Sequence, residues 1–193
     1  MKCSLCGKSV EGGILKTKHD ECERSINSFI DEIMKVIERV GTKDVTDGKM
    51  RIQSACPEHI VNHLLRDIHV NFSKNEVVLW VFKYAEYFEM KNNREFVRTG
   101  TSWRRYPQYS LGISKVDDGT ICLTTKHLYF VGDSKTFRIQ HAKLLSIERD
   151  TLNRLKGIKL QRDVQSAKYQ YFMIDQKNAE VLYWLTYLYS TLP

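Results

Sequence analysis

Residues 119–139 read Gly119-Thr-Ile-Cys-Leu-Thr-Thr-Lys-His-Leu-Tyr-Phe-Val-Gly132-Asp-Ser-Lys-Thr-Phe-Arg-Ile139. Apolar, aromatic and β-branched residues dominate the runs 120–125 and 126–131, and polar residues separate them from a third run, 136–139. Short runs of this kind between turn signals are typical of antiparallel strands. The stretch therefore predicts three successive strands of one sheet.

The same pattern continues on both sides of this stretch. Further strands are predicted at 77–84, 144–148, 157–162 and 169–174, and Asp117-Asp118-Gly119 predicts a tight turn. Short strands at regular spacing are typical of a small antiparallel barrel or sandwich. Asp175 suits a helix N-cap, and apolar residues then recur at helical spacing, which predicts a closing helix over 176–191. In a small barrel such a helix covers one open end.

The stretch 119–132, together with the later step Leu144-Leu-Ser-Ile-Glu148, resembles the pattern of GRAM and bacterial PH-like domains. The resemblance covers about residues 75–192. Thr125 and His127 stand where the family pattern more often has Asn or Asp and Arg or Lys. The resemblance implies an α+β fold with a PH/GRAM-like antiparallel β-barrel that is capped by a C-terminal helix. In such a module the core is filled by side chains, and binding occurs at loop tips or along an exposed edge.

A second motif lies in the first 22 residues, where Cys3, Cys6, His19 and Cys22 follow the spacing C-x2-C-x12-H-x2-C. Two close pairs of thiol and imidazole groups are typical of a tetrahedral zinc site. Because protein would fill all four positions, the spacing predicts a structural zinc rather than a catalytic one. The alternative is four reduced groups without metal. A zinc knuckle before a PH-like domain is similar to an arrangement in prokaryotic and phage proteins of unassigned role.

Helical patterns follow this motif. Apolar residues at helical spacing predict an amphipathic helix over 25–40, directly after Cys22, as in treble-clef zinc folds. The polar stretch 41–50 predicts a loop. A second, shorter helix is predicted over 57–66, where proline suits the first turn.

Cys56, His59 and His63 form a second cluster of ligand types around that shorter helix. The two histidines are four residues apart, so they share a helix face and could bind an ion together with the thiol. The favoured interpretation is different. Cys56 is expected to be a small buried side chain before the helix, and the histidines are expected to be partly solvated.

The charge pattern divides the chain near residue 70. Residues 1–70 hold 11 basic and 11 acidic residues, whereas residues 71–193 hold 19 basic and 12 acidic residues. We therefore predict a zinc knuckle plus helices over 1–70 and a PH/GRAM-like barrel domain over 71–193. The net charge of +7 lies in the second part. A basic surface favours anionic partners, although an ordinary soluble surface is an equally good explanation.

A candidate anion- or partner-binding group combines basic and aromatic residues. Its members are Arg98, Trp103, Arg104, Arg105 and Tyr106. Arginines on a loop can hold phosphate groups while neighbouring aromatic rings enter a lipid interface or stack on a base. The alternative is a flexible loop with solvated arginines.

The sequence lacks the common motifs of catalysis and of membrane insertion. The chain has no Walker loop, no G-x-G-x-x-G, no G-x-S-x-G and no H-E-x-x-H motif. It has no run of 18 apolar residues, and its five cysteines suit a reducing compartment. We therefore expect a cytoplasmic protein that is not an enzyme.

Three functions fit these observations. The favoured one is a non-enzymatic adaptor that binds a protein partner, with possible self-association through the helix at 25–40. The alternatives are an anionic-lipid module of the phosphoinositide type and a nucleic-acid-binding protein. Residues 1–70 are electrically neutral, which argues against the zinc knuckle as a reader of nucleic acid.

Overall fold

The computed structural model describes residues 2–10, 17–39, 45–98, 105–152, 155–163 and 169–191. These residues form four α-helices and seven strands. The helices are α1 (Asp20–Glu38), α2 (Val45–Ala55), α3 (Glu58–Leu64) and α4 (Gln176–Thr191). The strands are β1 (Val78–Arg98), β2 (Arg105–Thr124), β3 (His127–Gly132), β4 (Thr136–Gln140), β5 (Leu144–Leu152), β6 (Leu155–Arg162) and β7 (Tyr169–Ile174). Across these described residues, every helix is too short or too polar to cross a membrane.

The seven strands form one antiparallel sheet in the order β4-β3-β2-β1-β7-β6-β5. The sheet curls into a half-barrel, and α4 packs against β5 and β6. The α+β class and the antiparallel sheet with its C-terminal helix are therefore confirmed. Among the described strands β4 and β5 are the two edges, so the sheet is a half-barrel rather than a closed barrel.

Helix α4 closes the sheet with an apolar side. Its N-cap is Asp175, whose Oδ1 accepts hydrogen bonds from the backbone N–H groups of Lys177 at 3.1 Å and Asn178 at 3.2 Å. Leu182 and Leu185 are completely buried. The predicted helix over 176–191 and its cap are confirmed.

Helix α1 packs its apolar side against α2 and α4 and reaches the sheet through an aromatic contact. Phe29 is buried and stacks on Trp80 of β1, with the ring centroids 5.5 Å apart. The helix begins at Asp20, five residues earlier than predicted, and Cys22 therefore lies inside its first turn. Helix α3 lies within the predicted range 57–66.

The sequence predicted a loop over 41–50. This prediction is wrong for residues 45–50, which belong to helix α2. Its sequence contains glycine and β-branched residues, which are poor helix formers. Tertiary packing compensates, because Gly48 approaches α1 so closely that an added Cβ would lie 2.7 Å from Cγ1 of Val36. Helix α2 was not predicted because it is stabilised by a contact with a residue distant in sequence, and not by the helix preference of its own residues.

The tight turn predicted at Asp117-Asp118-Gly119 is also wrong, because these residues lie inside β2. The Asp117 carboxylate instead accepts hydrogen bonds from the backbone N–H groups of Ser134 at 2.9 Å and Lys135 at 2.8 Å. It thereby fixes the turn between β3 and β4. Strand β2 and the 21-residue β1 form one long hairpin, of which the predicted strand at 77–84 is the first part.

A buried carboxylate ties the segment before β1 to the sheet. The side chain of Glu76 is completely buried and accepts hydrogen bonds from Ser73 N at 2.8 Å, His127 Nδ1 at 2.8 Å and Tyr129 Oη at 2.9 Å, and also from Thr124 Oγ1. Burial alone would raise the pKa of Glu76. The four donors outweigh burial and lower this pKa to about 2.

A buried imidazole lies close to the same network. His141 is 2% exposed, and its Nε2 donates a hydrogen bond to the backbone oxygen of Thr124 at 3.0 Å. Burial disfavours the charged form and lowers the pKa of His141 to about 4. The residue is therefore neutral in the folded protein at neutral pH.

We expect Leu182→Asp to destabilise the fold by several kcal/mol, since the change places an unpaired charge in the core beneath α4. Gln176→Asp is the matched control, because it adds the same charge at an exposed position of the same helix. Urea unfolding of both variants measures the difference. Equal midpoints for Leu182→Asp and the parent chain would show that Leu182 is not packed.

We also expect stability to fall with acid in two steps. The pKa of His141 is about 4 in the fold against 6.5 ordinarily, so the unfolded chain binds its proton first and stability falls between these pH values. The contribution of Glu76 is complete above pH 4.5 and is lost as the pH falls towards about 2.

Urea midpoints measured against pH separate the two groups. His141→Gln should flatten the upper step and Glu76→Gln the lower one. His69→Gln, which removes an exposed imidazole, should leave both steps as in the parent. Parallel curves for all four proteins would contradict the assignment.

Candidate metal centre

The structure brings the four side chains of the N-terminal motif together. The ligand atoms of Cys3, Cys6, His19 and Cys22 all lie within 4.8 Å of one another, and no other such group occurs among the described residues. The three cysteines are buried and His19 is half-buried. The predicted ligand set is thus assembled, and it could bind a metal ion.

A tight turn presents the first pair of ligands. The backbone N–H of Gly7 donates to the oxygen of Cys3 at 2.9 Å, and Cys3 N–H donates to the oxygen of Lys8 at 2.8 Å. Gly7 has φ 72°, and a Cβ at this position would lie 2.5 Å from Cε1 of His63. Only glycine combines this backbone conformation with so close a neighbour.

The second pair lies at the start of α1, where His19 is the N-cap. Its Nε2 donates a hydrogen bond to the backbone oxygen of Ser9 at 2.9 Å, which leaves the lone pair on Nδ1. Nδ1 lies 3.3 Å from Sγ of Cys6 and 3.9 Å from Sγ of Cys22. In a tetrahedral zinc site these atoms are about 3.6 Å apart, so the arrangement matches the size of such a centre.

The pKa values of two of the thiols are shifted in opposite directions. Burial disfavours the thiolate of Cys3, but backbone hydrogen bonds from Cys6, His19 and Leu5 outweigh it and lower the pKa of Cys3 to about 6. Burial and the neighbouring thiols raise the pKa of Cys22 to about 12. Three thiolates at this spacing repel one another, and a divalent cation would stabilise all of them.

The candidate centre adjoins a small cavity of ≈ 230 Å³. Its lining residues are Cys6, Lys8, His19, Glu21, Cys22 and His59. Glu21 and His59 also line a larger groove of ≈ 800 Å³ between α1 and α3. Helix α3 therefore places His59 near the first ligand set, which the spacing along the chain did not indicate.

The second cluster of ligand types is not assembled. The thiol of Cys56 is buried and donates to the backbone oxygen of Leu79 at 3.2 Å, while His63 packs on Gly7. Burial raises the pKa of Cys56 to about 12. This arrangement agrees with the interpretation that Cys56 is a small buried side chain.

The predicted basic and aromatic group lies at the far end of the β1–β2 hairpin. Arg98 and Arg105 are directly paired across the two strands, and Tyr106 follows in β2. These residues lie on strands and not on a loop as the sequence suggested. Trp103 and Arg104 lie outside the described residues, and the binding role of the group stays a prediction.

A cluster that sequence reasoning missed lies between β5 and α4. The guanidinium carbon of Arg149 is 3.9 Å from the ring centroid of Tyr183 and 4.7 Å from that of Trp184, and its Nε is 3.1 Å from Glu180 Oε2. Trp184 packs edge-on against Tyr187. The signal in the sequence was the spacing of the three aromatic residues on one side of the closing helix.

Comparison with known proteins gives no family. No family model matches the chain, and no curated protein matches it. One similar solved structure is that of the C-terminal domain of an unknown protein from Leishmania infantum, with 12% identity and a TM-score of 0.33. The match covers 66% of this chain and 97% of that chain.

We expect the purified chain to hold one tightly bound divalent metal ion, which Cys3→Ser/Cys6→Ser should abolish. Cys122→Ala removes a thiol that is buried in the sheet and is the matched control. Titration of the metal-free chain with Co²⁺ should give the thiolate-to-cobalt absorption bands in the parent and the control. Bands of equal strength in the double variant would show that other residues bind the ion.

Proposed function

We propose that this chain is a non-enzymatic binding protein, with a structural zinc site and a PH/GRAM-like half-barrel that binds a protein partner. The order of the elements supports the resemblance to PH/GRAM-like domains, since seven antiparallel strands precede a closing helix. Reduced cysteines suit the cytoplasm as its compartment. The apolar side of α1 is already covered by α2, α4 and Trp80, so self-association through residues 25–40 is not included in the proposal.

Zinc is the ion that suits the donor set best. Three thiols and one imidazole favour a soft or borderline cation with tetrahedral geometry. Four protein ligands leave no position for a catalytic water, so the ion would be structural. It would tie residues 2–10 to the first turn of α1, because one ligand pair comes from each.

The Arg149 cluster is the observation that carries the proposal of a protein partner. Arginine, tyrosine and tryptophan are the residue types that contribute most binding energy at interfaces. Here they lie together at the edge of the described sheet, where β5 pairs with β6 alone. Leu145 on the same strand is 60% exposed. An edge strand beside aromatic anchors offers both backbone hydrogen bonds and apolar contacts to a partner chain.

Partner capture by the tagged full-length chain tests this surface. Arg149→Ala/Trp184→Ala should lose the captured protein by at least tenfold, since each anchor is worth about 1–2 kcal/mol or more at an interface. Gln176→Ala/Lys177→Ala changes two exposed residues of the same helix and should retain it. Equal capture by all three chains would exclude the Arg149 cluster as the docking surface, provided that circular dichroism shows the same fold.

A further inference from the structure

The β1–β2 hairpin extends beyond the rest of the described sheet. Strand β7 pairs with β1 over Glu86–Glu89, and β3 pairs with β2 over Gly119–Leu123. Beyond these positions the register of β1 and β2 continues without a further described strand on either side, as far as Arg98 and Arg105. We call residues 90–98 and 105–113 the arm.

The dimensions of the arm follow from its register. Each of its strands has nine residues, which at about 3.3 Å per residue gives a length of about 30 Å. A two-stranded ribbon is marginally stable in water without a neighbouring layer. Since no further described strand pairs with the arm, a bound partner would stabilise it.

The charge of the arm is strongly positive. It contains Lys91, Arg94, Arg98 and Arg105 against the single acid Glu95. Residues 1–70, by contrast, carry no net charge. The arm thus carries a net charge of +3 on 18 residues, out of the +7 of the whole chain.

The register also brings like charges together. Arg98 is paired directly with Arg105, and Arg94 lies four residues from Arg98 and therefore on the same face of the ribbon. Like charges in a cross-strand pair are unfavourable for the hairpin itself. An anionic ligand would turn this arrangement into a favourable one.

We propose that the arm binds duplex nucleic acid. The major groove of a DNA duplex, about 12 Å wide, admits a two-stranded β-ribbon. Arg94 and Arg98 are separated by about 13 Å along β1, which is comparable with the width of the groove. The length of the arm is close to one helical turn of DNA, about 34 Å. Arginine residues at register positions on one face of the ribbon are of the type that binds backbone phosphates.

The distribution of residue types favours a duplex over a membrane surface. A flat bilayer would contact the end of the arm alone, whereas Lys91, Arg94 and Arg98 are spread along the length of β1. Polar residues follow along the arm, with Asn92 and Asn93 on one strand and Gln108 and Ser110 on the other. Polar groups along the length suit contacts to sugar, phosphate and base edges.

This inference goes beyond the proposed protein partner and rests on different residues. Strand β5, which carries the Arg149 cluster, is an edge of the sheet, whereas the arm extends from its two central strands β1 and β2. Variants of the arm therefore leave the proposed protein-binding surface intact.

Fluorescence anisotropy with a labelled 24-base-pair DNA duplex tests the proposal on the full chain. The test variant is Arg94→Gln/Arg98→Gln/Arg105→Gln. The control variant, Lys74→Gln/Lys143→Gln/Lys177→Gln, removes the same charge at exposed positions outside the arm. At 100 mM salt the arm variant should bind at least tenfold more weakly than both the parent and the control. Its slope of log affinity against log salt should also be smaller by about 2–3, since each lost phosphate contact accounts for about 0.9.

Three results would overturn the proposal. The parent chain could fail to bind the duplex at 50 mM salt, or the two triple variants could weaken equally, which would indicate unspecific attraction to net charge. Alternatively, vesicles containing 30% phosphatidylserine could sediment the parent and not the arm variant while the duplex stays unbound. That outcome would assign the arm to a membrane. Matching thermal melts of the three chains ensure that lost binding does not reflect unfolding.

Discussion

The rest of the structure depends on covering the apolar face of the curled sheet. Tyr87, Phe130 and Phe172 pack ring against ring on this face, and a half-barrel leaves such a layer open to water unless other elements lie over it. Helix α4 covers one part, and the N-terminal helices cover another through the stack of Phe29 on Trp80. Buried residues of both parts of the chain belong to one continuous cluster.

This shared core gives the candidate metal centre its position. Helix α1 contributes His19 at its N-cap and Cys22 in its first turn, and the same helix is held on the sheet by Phe29. The turn that carries Cys3 and Cys6 rests on α3 through the contact of Gly7 with His63. A bound ion would therefore join two segments that the core already places side by side, which lowers the entropy cost of assembling the site.

Features that depend on residues close together in the sequence could be predicted, and features that depend on distant contacts could not. The closing helix was predicted because Asp175 and the apolar spacing act within a few residues, and the ligand set was predicted because the two pairs are close in sequence. Helix α2 depends on the distant contact of Gly48 with Val36. Asp117 lies in β2 beside a register shift, and its carboxylate accepts hydrogen bonds from Ser134 and Lys135, which are distant in sequence.

The far half of the hairpin escaped prediction for a related reason. Alternation of Tyr109, Leu111 and Ile113 with small or polar residues was present in the sequence as a strand signal. The paired part of β1, residues 91–98, is rich in charged residues and asparagine, which are depleted in strands. Its own composition therefore did not indicate a strand, although it pairs with β2 along its whole length. The neighbourhood of His59 and the first ligand set likewise follows from how α3 packs.

Strongly shifted pKa values often mark active sites, and here they have structural causes. The carboxylate of Glu76 is saturated by four donors, and His141 makes a hydrogen bond to a backbone oxygen at the end of β2. Both groups lie within the packed end of the sheet, away from the described cavities beside α1. A group held in this way stabilises the fold by keeping one protonation state, and it is poorly placed to exchange protons with a substrate. The two proposed binding surfaces, the sheet edge at Arg149 and the basic arm, use neither of these groups.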